Sequence, residues 1–416
     1  MKIVLSIAFR NLNRNKLRTI ISIIAIAIVV MIVVFIRGLL LGFTESTFSL
    51  QIDNFFGHVR VMDKDYQSRE LLLSLDYTIN GLNGNSTKHL IEEISKIPEV
   101  EHVLPRLKFG AMINSEGNSK IIVAYGIDME LESSYGGIET DVIGRIPTSS
   151  GEMLVGKGIL DAFNLQVGDN LTILFSNVYK SLRARTFKIV GVRETGLKQL
   201  DDFIYIPLLD AQNMLHLDDD FTEILVMGNS LHQSKVLEAS LNNFFLEKGI
   251  EEGYLILPWQ RANSFMEYFQ IIIRLYDIIY IFFIFLGSIV LINTMIMIVR
   301  ERTFEIGVMG ALGLKSNEVM MIFALEGVMM GIIGSLLGSI GGGIITYHLS
   351  NIGIDYYNAA LTDVKVVFAP AIYPVFSLGN LFVSFLLGGM ITTLSCLWPA
   401  KKAAQLRPVD ALRENN

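Results

Sequence analysis

The chain has 416 residues, of which 51% are apolar and only 18% charged, with a mean hydropathy of +0.47. A water-soluble enzyme of this length needs a more polar surface, and a protein buried in lipid throughout would be more apolar still, so the composition points to part bilayer and part water. Residues 45–262 hold 19 Lys and Arg against 31 Asp and Glu, and the remainder holds 15 against 10; an acidic middle between basic ends lacks the basic face that nucleic-acid binding requires.

Taken in chain order, residues 1–18 read as an amphipathic helix lying in the membrane plane. Val4, Leu5, Ala8, Phe9 and Leu12 share one face, and Arg10, Asn11 and Arg14 lie off it. A first span is expected over 19–43, interrupted only by Arg37. The basic residues before it could also head a secretory signal, but the apolar core is too long and no small-x-small cleavage site follows, so it is read as a retained anchor. Residues 44–267 read as a folded α+β domain. Val59 and Val61 alternate as in a strand, and further strands are expected at Val100–Leu104, Lys120–Ile127, Leu171–Phe175, Thr186–Val190, Phe203–Ile206 and Glu223–Met227. Helical spacing marks Leu90–Ile97 and Leu231–Leu246. The mostly β stretch of about 145–227 is expected as an inserted lobe.

A second span is expected over 268–299, a loop over 300–318, a third span over 319–348, an outer loop over 349–377, a fourth span over 378–398 and a tail over 399–416. Five cations precede the first span; Arg300, Arg302 and Lys315 lie between the second and third; Lys401, Lys402, Arg407 and Arg413 follow the fourth. By the positive-inside rule these segments and both termini are cytoplasmic, and the acidic block is extracytoplasmic. The expected class is therefore a four-helix membrane protein with a large α+β extracytoplasmic domain inserted between helices 1 and 2.

Signatures of catalysis are missing from the sequence. Six scattered histidines form no HExxH, so no metal is expected, and there is no GxSxG elbow. The acidic runs Asp201-Asp202 and Asp218-Asp219-Asp220 read as solvated turns, and the lone Cys396 excludes an intrachain disulfide. Gly310–Ser316 approaches a phosphate loop, but Leu314 stands where glycine must precede the lysine. No cofactor is expected on this chain, and any ATP must be hydrolysed elsewhere. Glu326 lies inside the third span, where a carboxylate is costly unless paired or hydrated; a structural role and a proton relay both remain open. The same span carries Gly327, Gly331, Gly334, Gly338 and Gly342, a face that lets helices approach closely.

Two cytoplasmic segments carry a resemblance. Arg300–Gly313 contains Glu305-Ile-Gly and Ala311-Leu-Gly313, and the tail contains Pro399-Ala400, Ala403-Ala404 and Pro408-Val-Asp-Ala-Leu-Arg413. With one span, a large outer domain and three further spans, the chain resembles the MacB/FtsX-type ABC transporter permeases over essentially its whole length. Gly151-Glu-Met-Leu-Val-Gly156 followed by Leu165-Gln-Val-Gly168-Asp169 is similar to the lipoprotein-releasing LolC/LolE branch. The resemblance implies a bacterial inner-membrane permease with two copies of a LolD-type ATPase, which binds the ATP and Mg. It also implies a second permease subunit, the same or homologous, lipoprotein cargo and a periplasmic lipoprotein carrier. MacB-like export of peptides or toxins and FtsX-like regulation of a cell-wall hydrolase are the alternatives. Gly310 stands where such loops carry a larger residue, and the candidate carrier hook, Ser176–Ser181, is short.

Two sets of site residues follow. Phe304, Val308, Met309 and Leu312 are expected to dock in a groove of the ATPase, with Glu305 at the edge. Arg37 lies about 27 Å along its helix and Asp277 about 34 Å along its own at 1.5 Å per residue, so both approach the outer interface. They would gate a cargo cavity lined by Met31, Phe35, Tyr276 and Tyr280; the other reading is that Arg37 contacts lipid phosphate.

Overall fold

The computed structural model describes residues 10, 14, 16–81, 86–115, 118–138, 141–197, 200–250, 252–355 and 371–405. The expected amphipathic helix over 1–18 lies almost wholly outside the described residues, as does the tail beyond 405. In chain order the helices of seven or more residues are α1 (Lys16–Gln51), α2 (Thr87–Ile94), α3 (Met129–Tyr135), α4 (Lys157–Phe163), α5 (Leu208–Leu215), α6 (Ser234–Lys248), α7 (Ser264–Glu301), α8 (Thr303–Ala311), α9 (Ser316–Ile352) and α10 (Leu378–Ala404). The strands are β1 (Val59–Asp63), β2 (His102–Ser115), β3 (Asn118–Ile127), β4 (Val142–Gly144), β5 (Glu152–Gly156), β6 (Asn170–Ser176), β7 (Leu182–Arg193), β8 (Phe203–Pro207), β9 (Glu223–Met227) and β10 (Tyr254–Pro258), with a short pair β11 (Ile354–Asp355) and β12 (Ala371–Ile372).

The chain divides into two compact units. The helical unit comprises residues 1–46, 271–356 and 371–416; the mixed unit comprises 47–270 and 357–370. Among the described residues four helices are long and apolar enough to cross a membrane, and they belong to α1, α7, α9 and α10. α1 runs on past Phe43 to Gln51, because no proline or glycine follows Gly42 before that residue, and reaches about 54 Å at 1.5 Å per residue. α10 likewise passes through Pro399 to Ala404. Burial of Pro399, Ala400 and Ala403 offsets the lost backbone hydrogen bond, a cost of about 3 kcal/mol. Within this unit Ile26, Val30 and Val34 of α1 cluster with Met295, Ile298 and Val299 of α7, Val319, Phe323 and Met330 of α9, and Cys396 of α10. Large apolar residues such as Ile24, Phe282, Leu337 and Leu386 face outward, as lipid-contacting positions do.

The mixed unit is built on one ten-stranded sheet in the order β10-β1-β9-β2-β3-β8-β5-β7-β4, with β6 bridging β2 and β7. That bridge closes β2, β3, β8, β5, β7 and β6 into a ring, so those strands lose their free edges. Alternate residues point into it: Leu107, Phe109, Ala111 and Ile113 from β2, Leu171, Ile173 and Phe175 from β6, Phe187 and Ile189 from β7. The other half, β10-β1-β9-β2, packs Val59, Val61, Ile224 and Val226 against Leu90 and Ile94 of α2 and Leu237, Leu241 and Phe245 of α6. The stretch 145–227 therefore does not stand alone as a lobe. Its ring borrows β2 and β3, while β9 pairs with β1 and β2 in the other half. Strand alternation records which face is apolar but not which strand is the neighbour.

Candidate functional site

Arg302 breaks the helix between α7 and α8 with φ −100°, and the Thr303 hydroxyl donates to the carbonyls of Val299 and Arg300, capping α7. Glu305 lies in the first turn of α8, where a negative charge complements the helix dipole. Gly313 at φ +93° ends the turn after α8, a conformation that favours glycine. The Lys315 amide donates to the Glu318 carboxylate at 2.9 Å and starts α9. The Gly310–Ser316 stretch is thus a helix-to-helix turn.

This geometry sorts the residues expected to dock. Phe304, Val308 and Leu312 recur at intervals of four and are 46%, 37% and 78% exposed, an apolar stripe along the exposed face of α8 and its C-cap. Glu305 is also exposed and forms an ion pair with Arg14. Met309 turns the other way: it is half-buried and packs against the inner cluster of the helical unit, beside buried Ile306. Met309 thus holds α8 on the bundle, while Phe304, Val308 and Leu312 remain available. Arg302 and Glu326, both buried, lie 3.4 Å apart as an ion pair.

The glycine face is divided between two neighbours. A Cβ at Gly327 would lie 2.2 Å from Cys396 Sγ, and one at Gly331 2.3 Å from Thr392 Oγ1, so this half receives α10. A Cβ at Gly334 would meet Ile26, one at Gly338 would lie 2.5 Å from the Ala27 carbonyl oxygen, and one at Gly342 would meet Val34 and the Met31 carbonyl, so this half receives α1.

Of the residues expected at a cargo cavity, Arg37 and Tyr280 come together, the guanidinium carbon 5.6 Å from the ring centroid and the ring buried. Met31 instead approaches Gly341 of α9. Phe35 and Tyr276 are half-buried, and the side chain of Asp277 lies outside the described residues. The hook residues form a tight turn in which Asn177 accepts from the Ser181 amide at 3.0 Å, and Tyr179 is exposed at its tip. Among the described residues no three His, Cys, Asp or Glu gather as a metal would need.

Two buried charge networks in the mixed unit escaped sequence reasoning. Arg60 makes a bidentate pair with Glu70, at 2.7 and 3.1 Å, and reaches Glu223 at 3.1 Å, while Lys108 joins Glu70 at 3.0 Å. Arg106 grips Glu132 through two nitrogens and donates to the carbonyls of Asn54 and Asp53; Arg193 donates to the Asn54 side chain, and the Tyr135 hydroxyl to Asp53. These contacts fasten the turn Ile52–Phe56 that follows α1. The only sequence signal was a charge at a strand position flanked by valines, as in Val59-Arg60-Val61.

Comparison with known proteins gives the following. The family model described as MacB-like periplasmic core domain matches residues 19–244, and that described as FtsX-like permease C-terminal matches 278–408. Over 394 residues the chain is 23% identical to the lipoprotein-releasing system transmembrane protein LolC of Xylella fastidiosa, covering 91% of this chain and 92% of that protein. It is 22% identical over 342 residues to the macrolide export ATP-binding/permease protein MacB of Nitrosomonas europaea, covering 79% of this chain and 48% of that protein. The crystal structure of the periplasmic region of MacB from Actinobacillus actinomycetemcomitans aligns at 18% identity and a TM-score of 0.34, covering 50% of this chain and 92% of that one.

Proposed function

The chain belongs to the MacB/FtsX-type ABC transporter permeases, and from that premise we propose that it is the membrane subunit of a machine that uses a separate ATPase to release lipoproteins from the inner membrane. In this reading both termini and α8 face the cytoplasm, and the acidic mixed unit faces the periplasm. The ATPase, a LolD-type subunit in two copies, carries ATP and Mg; a second permease subunit completes the complex.

The observation that carries the reading is the apolar stripe Phe304, Val308 and Leu312 on a short helix between two spans. Exposed apolar residues at helical spacing, with a charged residue at the edge, suit insertion into a groove of a partner. Likeness to LolC along nearly the whole of both chains supports lipoproteins as cargo over macrolides or peptides.

The test is coexpression with the cognate ATPase. Val308→Asp should cut copurified ATPase and stimulated hydrolysis at least about tenfold, the scale of losing one buried apolar anchor from a helix-in-groove contact, while membrane insertion is unchanged. Met309→Asp should instead destabilise the helical unit, because that side chain packs inward. A Val308→Asp chain that recruits and stimulates the ATPase fully refutes the docking face. Mass spectrometry of material bound to the wild-type complex should find lipidated peptides, and recovery of unlipidated peptides alone would favour the MacB-like alternative.

A further inference from the structure

Arg302 lies outside the docking stripe yet is built into three elements. Its amide donates to the Ile298 carbonyl at the end of α7, and its own carbonyl accepts from Ile306 in the first turn of α8. Its guanidinium lies 3.4 Å from the Glu326 carboxylate of α9, and both side chains are no more than 5% exposed. Glu326 directly precedes Gly327, which packs against Cys396 of α10. Among the described residues its second carboxylate oxygen is buried without a hydrogen-bond partner, and Arg302 is its ion-pair partner. Among the described residues the other charges nearby, Arg14 and Glu305, are paired with each other on the exposed side of α8.

Apolar packing of Ile306 and Met309 can slide along a neighbouring helix at little cost. A buried ion pair cannot, because separating it leaves two charges in a medium that solvates neither. We propose that Arg302 and Glu326 are positioning residues that join the coupling helix to the third span, so that displacement of α8 by the ATPase is delivered to α9 and through its glycine face to α1 and α10. This rests on the reading of α8 as the docking helix.

The test uses the full-length chain with its coexpressed ATPase in nanodiscs, on a Cys396→Ala background, with spin labels at Ala311→Cys and Met321→Cys, two exposed positions off the docking stripe. Electron–electron distance measurement reads the α8–α9 joint from this chain alone, and cargo released per ATP reads transmission. Glu326→Gln should broaden the distance distribution while the ATPase still copurifies and hydrolyses, and should lower cargo released per ATP at least about tenfold. The swapped pair Arg302→Glu/Glu326→Arg should return both readouts to within about threefold of wild type. It also carries the test if Glu326→Gln does not fold. An unchanged distribution in Glu326→Gln, or failure of the swap to restore it, overturns the joint. A broadened distribution with unchanged cargo per ATP means that the pair only maintains the fold, and overturns transmission. A wild-type chain that recruits no ATPase refutes the docking reading and transmission together, while the distance distributions still decide whether the joint exists.

Discussion

Arg60 is 1% exposed on a strand whose neighbours Val59, Val61 and Met62 are fully buried. A guanidinium so placed is tolerable only because two carboxylates meet it, and removing it takes from Glu223, itself 1% exposed, its salt-bridge partner at 3.1 Å. Arg60→Ala should therefore lower the stability of the mixed unit by about 3–5 kcal/mol. Urea unfolding followed by Trp259 fluorescence, with Trp398 replaced by Phe, measures it; a loss under about 1 kcal/mol, typical of surface pairs, would show the network to be dispensable. The same cluster sets a pH dependence. Burial alone would raise the Glu70 carboxyl, but Arg60 and Lys108 bring it down to about 2 from an ordinary 4.5. Because the folded value lies below the unfolded one, its contribution is complete above about pH 4.5 and is lost as pH falls toward about 2. Glu70→Gln should flatten that part of the stability–pH curve, and an unchanged slope would place the acid sensitivity elsewhere.

At the scale of elements, the glycine face of α9 is two faces with different contacts. Gly327 meets a side chain, that of Cys396, whereas Gly338 meets the backbone carbonyl of Ala27. A side chain can be truncated and a carbonyl cannot. Gly327→Ala should destabilise the helical unit by about 1–3 kcal/mol, the usual cost of overpacking, and Cys396→Gly should recover most of it. Gly338→Ala should cost as much and resist rescue by Val30→Ala, because the obstruction is main chain. Thermal melts of the four variants in detergent check this, and equal rescue at both sites would refute the assignment of α10 and α1 to separate halves. The same reasoning explains α8. Its expected apolar set falls on two sides because Met309 lies one residue, about 100° of helix, beyond Val308.

For the whole molecule, the distribution of cations predicts sidedness. Cysteines introduced at Lys315 and Lys401 should resist an impermeant thiol reagent added to intact spheroplasts, and one at Glu130 should react. Labelling of Lys315→Cys from outside would invert the proposed orientation. The spans were legible because crossing a bilayer demands about 20 consecutive apolar residues whatever the neighbours are. The strand at 170–176 was legible because one-sided burial imposes a period of two, whereas of 102–115 only the start lay within the expected 100–104, and 223–227, buried at every residue, shows no alternation. Those signals are local, set by each segment against its solvent. What only the tertiary structure decided is pairwise: the closure of the ring through β6, the split of the glycine face, the inward turn of Met309, and the partners of Arg60, Arg106 and Arg302. A single chain records that a residue is apolar, small or charged, but the neighbour that makes the residue stable there can lie more than a hundred positions away, as Glu223 does from Arg60, and nothing in the local pattern specifies it.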